Sequence, residues 1–197
     1  MKTLRILTAG LIAVCLSMVA VVASAQKGNG NNDKDRDNRL SAALAGINEV
    51  PSVSTIAAGR FKAKISADEQ SIDYELSFSG LQGVVAQSHI HIARPGVNGG
   101  IVLWLCQGTS RAPAAVAAST PECPQEGTVE GTLTVASVTP VATQQIAATE
   151  LDEVIRLIRA GAAYVNVHTA PSPGGEIRGQ VGTGNGNGNS GPGGGGH

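Results

Sequence analysis

Residues 71–78, SIDYELSF, alternate strictly along the chain. Ile72, Tyr74, Leu76 and Phe78 are apolar, and Asp73, Glu75 and Ser77 between them are polar. A period of two puts the apolar set on one face of an extended strand. Residues 60–65 alternate more loosely, and short runs at 84–92, 101–106, 128–135, 164–169 and 176–181 complete a set of predicted strands punctuated by glycine, proline and asparagine. One segment changes period. In 149–161, TELDEVIRLIRAG, the apolar residues Leu151, Val154, Ile155 and Ile158 recur at helical spacing. Thr149 and Asp152 fit a capping box and Gly161 a stop. The expected fold is mostly β, an antiparallel Greek-key-like sandwich or barrel with one short helix packed over an open end of its core.

The ends of the chain are unlike its middle. Lys2 and Arg5 precede a nearly unbroken apolar run at 6–22, and Ala23-Ser24-Ala25 follows as a small-residue cleavage site. Residues 1–25 therefore read as a signal peptide cut after Ala25. Residues 26–39 are polar and charged and read as a disordered leader. Residues 183–197, rich in glycine and asparagine, read as a disordered tail. This leaves 40–182 as one β domain, large enough for one core and not for two.

Export changes how the cysteines read. Cys106 and Cys123 remain after cleavage, and in an oxidising compartment a pair at this spacing is expected to form a disulfide that closes the Ala/Pro-rich loop 107–126. The product is expected to be secreted or periplasmic. Once Lys2 and Arg5 are removed, 12 basic and 15 acidic residues give a net charge of −3. Neither a basic stripe nor an aromatic surface favours nucleic acid, and no other segment is apolar enough to span a membrane.

Candidate chemistry gathers in two stretches, SHIHIARPGVNGG at 88–100 and AYVNVHTAPSPGGEIRGQV at 163–181. Strand parity puts Gln87, His89 and His91 on one face, and Tyr164, Asn166 and His168 on one face of the second strand. If both strands turn their aliphatic faces inward, the three histidines meet on the polar side. A His-x-His pair plus a third imidazole makes a three-nitrogen site suited to copper or zinc. The same imidazoles equally suit a structural use, satisfying loop carbonyls or pairing with a carboxylate such as Glu176. Arg178 and Glu176 are expected near the site, as a salt bridge or as groups around a bound ion. Trp104, inside an apolar strand, is expected in the core.

With the earlier LAGINEVPSV at 44–53, these two stretches resemble the CHRD domain, an extracellular β module first recognised in chordin and found in exported bacterial proteins. The resemblance spans about residues 40–182 and implies an exported binding or interaction module. Its partner would be an extracellular protein or glycan. The histidines also resemble part of copper/zinc superoxide dismutase, in His89-Ile90-His91, Val167-His168 and Gly174-Gly175-Glu176-Ile177-Arg178. That similarity implies at most a reduced three-histidine copper site with Arg178 attracting an anion, because 92–167 contains no histidine for a bridging ligand or a zinc cluster. No G-x-S-x-G, P-loop or H-E-x-x-H occurs, and no carboxylate pair stands out for acid–base work. The sequence points to a binding module, then to a metalloprotein, then to a structural envelope component.

Overall fold

The computed structural model describes residues 35–184. The segments read as a signal peptide, as the start of a leader and as the tail beyond Gly184 lie outside the described residues. Nine strands form one sheet: β1 (Arg39–Ala45), β2 (Ala58–Ile65), β3 (Ser71–Ser79), β4 (Val85–Ile92), β5 (Gly100–Gln107), β6 (Gly127–Thr134), β7 (Ala163–Thr169), β8 (Ser172–Gln180) and β9 (Gly182–Thr183). Their order is β5-β4-β7-β8-β1-β2-β3-β6, with β9 beside β1, and every pair is antiparallel. The sheet curls into a nearly closed barrel. Tyr74 on β3 donates its hydroxyl to Leu105 O on β5 across the gap (2.5 Å), and Thr139 N donates to Val102 O (2.9 Å) where the chain leaving β6 lines the β5 edge. Phe61, Ile72, Leu76, Ile90, Leu103, Val167 and Ile177 fill the interior and are fully buried.

The mostly β architecture agrees with the alternation in the sequence, and β3 keeps Ile72, Tyr74, Leu76 and Phe78 buried as its pattern requires. Two strands differ from expectation. β1 went unpredicted as a strand, because only Leu40 and Leu44 are large among the alternating inward residues Leu40, Ala42 and Leu44. β8 begins at Ser172, four residues before the predicted strand at 176–181, so the turn after β7 is only Ala170–Pro171. Gly175 makes this continuation feasible with φ of 122°, a conformation that side-chain-bearing residues avoid. Within the predicted leader, residues 35–37 form a helical turn and Arg39 opens β1; Thr183, assigned to the tail, pairs with Leu40.

Two helices sit between strands: α1 (Ala114–Ala117), and α2 (Leu151–Arg159), the amphipathic helix expected from the sequence. Leu151, Val154, Ile155 and Ile158 of α2 join the core, and Gly161, at φ 71°, ends the helix. The expected capping box does not form. Thr149 adopts a left-handed φ of 72°, whereas a capping side chain works from an extended backbone. Glu150 is the cap residue, and its carboxylate accepts a hydrogen bond from Ala147 N instead (2.7 Å).

Candidate metal centre

β4 lies inside the sheet, between β5 and β7, and the register fixes what meets what. Gln87 faces His168, His89 faces Asn166 and His91 faces Tyr164 across β4–β7, while His89 faces Trp104 across β4–β5. The three histidines therefore share one sheet face, as parity required. That face is not a solvent face: relative exposure is 0% for His89 and 6% each for His91 and His168. Three coverings seal it. Trp104 packs with Ala112 and Val116 from the loop after β5. The 94–99 turn folds over His91, and the chain at Glu49–Val50 abuts that turn through the Asn98 Nδ2 bond to Val50 O (3.0 Å). Gly99 must be glycine here, since a Cβ would collide with Ile92 O.

The imidazoles meet at short range. Ring centroids lie 4.9 Å apart for His89–His168, 5.3 Å for His89–His91 and 6.2 Å for His91–His168. His91 Nδ1 donates to Gly99 O (3.0 Å), which leaves Nε2 as the lone-pair nitrogen, and no well-formed hydrogen bond reaches it. His168 Nδ1 lies 3.0 Å from Pro173 O, while its Nε2 lies 2.9 Å from Asn166 Oδ1. A neutral imidazole has one N–H, so it can satisfy only one of those two oxygens. His89 has no hydrogen bond on either nitrogen. A buried polar atom without a partner costs about 1–3 kcal/mol.

Burial also keeps these rings neutral. Desolvation pushes His91 down to about 4, against a smaller upward pull from the Gly99 carbonyl bond. Desolvation lowers His168 too, and it holds His89 well below the ordinary histidine value with help from the neighbouring rings. Neutral imidazoles are metal ligands; imidazolium ions are not.

One nitrogen from each histidine can be chosen so that all three lie within 4.8 Å of one another. Around a tetrahedral zinc with bonds of about 2.0–2.1 Å, ligand nitrogens stand about 3.3 Å apart. The nitrogens would therefore need to close by up to about 1.5 Å per pair. Backbone carbonyls on Nδ1 of His91 and His168 are the outer partners that metal-bound histidines commonly keep. Orphaned nitrogens, neutral rings and carbonyl-oriented Nδ1 atoms all fit an ion of the copper or zinc class.

The CHRD domain profile matches residues 40–181, most of the chain and nearly all of the described part. The chain belongs to the CHRD-domain family. No curated protein and no solved structure matches it.

In this CHRD domain, the remaining candidates fall into two groups. Asn166 stands beside His168, as the shared strand face required. Arg178 is 1% exposed, and both its terminal nitrogens are engaged, with Asn98 Oδ1 (2.9 Å) and Val97 O (2.7 Å); its guanidinium lies 3.4 Å from the Tyr164 ring centroid. Its role in this geometry is to hold the 94–99 turn down. Glu176 is not with the histidines and forms no ion pair with Arg178. Its carboxylate accepts hydrogen bonds from Thr55 Oγ1 (2.8 Å), Gln82 N (2.9 Å) and Thr169 Oγ1 (2.6 Å). The Cys106–Cys123 disulfide is present and closes the loop whose Ala112 and Val116 cover Trp104. Within that loop, Gln107 Nε2 donates to Ala117 O and Thr120 O (3.0 and 2.9 Å).

Glu49 is the residue that sequence reasoning missed. It is 5% exposed, its Oε1 has no hydrogen-bond partner, and it lies beside Asn166 and Gly175. Burial raises its pKa to about 7, opposed by the Arg178 charge and by hydrogen bonds from Val50 N–H and Asn166. The available signal was its place in LAGINEVPSV, a family motif that needs no acid for strand formation.

Proposed function

We propose that this protein is an exported CHRD domain that binds one copper or zinc ion through His89, His91 and His168. The observation that carries the reading is the set of three buried, mutually close imidazoles, with unpartnered nitrogens on His89 and His91. Copper is favoured over zinc on intrinsic affinity for nitrogen ligands. Export to the periplasm or the medium is supported by the signal-like residues 1–25 and by a disulfide, which persists in oxidising compartments. The ion would be held by the three imidazoles, with Gly99 O and Pro173 O fixing two of the rings.

Thermal unfolding of untagged protein tests this. A ligand at 100 times its Kd adds about 2.7 kcal/mol, which for a domain of this size is a rise in Tm of about 5–10 °C. We expect that rise with copper or zinc and none in His89→Ala. No rise in the wild-type protein overturns the reading.

A second reading, a protein-interaction module, is favoured by exposed apolar residues near the same pole. Ile47 is 75% exposed and Val97 54% exposed. Capture of an extracellular protein that is lost in an Ile47→Asp, Val97→Asp variant would support it. Unchanged capture by that variant would contradict it.

A further inference from the structure

The histidines are sealed from solvent, so a bound ion needs a way in, and Glu49 stands where one begins. A cleft of about 220 Å³ opens between the 50–53 segment and the start of β8, with Glu49, Pro51, Pro171, Ser172 and Gly175 in its walls. At its floor, the space where a Gly175 side chain would stand is bounded by Glu49 Oε1 and Asn166 Nδ2 (the latter 2.7 Å from a Cβ built there). Beyond that point the Asn166 carboxamide touches His168 Nε2 at 2.9 Å. The contacts thus run cleft, Glu49, Asn166, His168 without a break. Glu49 Oε1 is a buried carboxylate oxygen with no hydrogen-bond partner. Its carboxylate forms no salt bridge, although the Arg178 charge acts on it through space. The carboxamide next to it turns about a terminal sp³–sp² torsion, which is broad and roughly two-fold rather than locked in a staggered well.

We propose that the metal ion reaches the three histidines through this cleft, with Glu49 as the first protein group to take it and the Asn166 carboxamide as the door it passes. This inference rests on the metal reading above. Glu49 acts on the way in and is not one of the final ligands. Its removal therefore slows uptake and release together and leaves equilibrium affinity in place. The glycine at 175 keeps the floor of the cleft open, since any Cβ there would press on both Glu49 and Asn166.

Trp104 is the single tryptophan of the chain, and its ring centroid lies 4.3 Å from that of His89, so its fluorescence reports arrival of copper at the cluster. The test is stopped-flow mixing of untagged protein with Cu(II) held as a weak glycine complex. Glu49→Gln keeps the shape and removes the charge; Ser172→Leu narrows the cleft mouth without adding a second tryptophan and leaves the histidines untouched. Acidic clefts speed capture of cations by tenfold or more, so at pH 8, where Glu49 is ionised, about tenfold slower quenching is expected in Glu49→Gln, with one equivalent bound at an unchanged Kd. Ser172→Leu should also be slow. Quenching by both variants at the wild-type rate overturns the route and leaves the metal site standing. Weaker equilibrium binding in Glu49→Gln would make Glu49 a ligand and overturn the route as stated. No uptake by the wild-type protein overturns both the metal reading and this one.

Discussion

The phenol ring of Tyr164 lies parallel to the imidazole of His91, with centroids 4.6 Å apart and planes inclined by 2°. His91 is on β4 and Arg178 on β8, the two neighbours of β7 in the sheet, so Tyr164 is held between an imidazole and a guanidinium. The ring orientation of a candidate ligand is thus set by a stack that ends in a buried cation. Arg178 in turn holds Val97 and Asn98, the turn whose Gly99 carbonyl accepts the hydrogen bond from His91 Nδ1–H. The stack and the turn act on the same imidazole from two directions.

Breaking that stack should destabilise the domain. Arg178→Met removes two charge-assisted hydrogen bonds and a cation–π contact, and should cost about 2–4 kcal/mol in urea unfolding. Tyr164→Phe keeps the stack and loses only a long contact from Gly99 N to the hydroxyl (3.4 Å), so it should cost under about 1 kcal/mol. Equal losses in the two variants would contradict this account.

The disulfide should matter to the covering of the site as well as to stability. Replacing Cys106 and Cys123 by alanine releases a crosslink between residues 17 apart in sequence, with an expected loss of about 3 kcal/mol on the chain-entropy account. Because the same loop lays Ala112 and Val116 against Trp104, tryptophan emission should shift to the red in the still-folded variant. Unshifted emission would mean that the loop stays in place without its bridge.

Glu49 gives the domain a pH signature of its own. Its pKa is about 7 in the folded protein against 4.5 ordinarily, so the folded state holds the proton more tightly than the unfolded chain. Its contribution is fully present below about pH 4.5 and is lost as pH rises through 7. Comparison with Glu49→Gln isolates this contribution from the histidines. Wild-type stability should fall relative to the variant across that window by at most about 3 kcal/mol, and by less to the extent that cleft water screens the carboxylate. A constant difference from pH 4.5 to 8 would show that Glu49 titrates as an ordinary acid.

Copper and zinc should be distinguishable through Trp104. Cu(II) at the cluster should quench its emission at one equivalent, Zn(II) should leave it bright, and His168→Ala should abolish the copper response while keeping the native circular dichroism. Quenching that survives in His168→Ala would place the copper elsewhere.

The parity of the two histidine strands was legible because a period of two is a local property. His89 and His91 are two apart, and the even positions of 164–168 place Tyr164, Asn166 and His168 together. What covers that face was not legible, because each cover is a loop with no periodicity of its own: Val116 from the disulfide loop, Asn98 from the turn after β4, Glu49 from the segment after β1. One sign was present. The run IVLWLC at 101–106 is apolar at every position, as expected of a strand covered on both sides. β1 stayed hidden because its alternation is carried partly by alanine. Glu49 was hidden because a single acid in a loop has no pattern of its own.

The most direct test of the three-histidine site is the metal content of untagged protein carrying His197→Ala, which removes the tail histidine as a stray ligand. Protein loaded with copper or zinc and then dialysed against excess glycine should retain one equivalent per chain. The same protein with His89→Ala should retain none and still fold. Retention of no metal by the parent protein, or equal retention by the His89→Ala variant, would contradict the site.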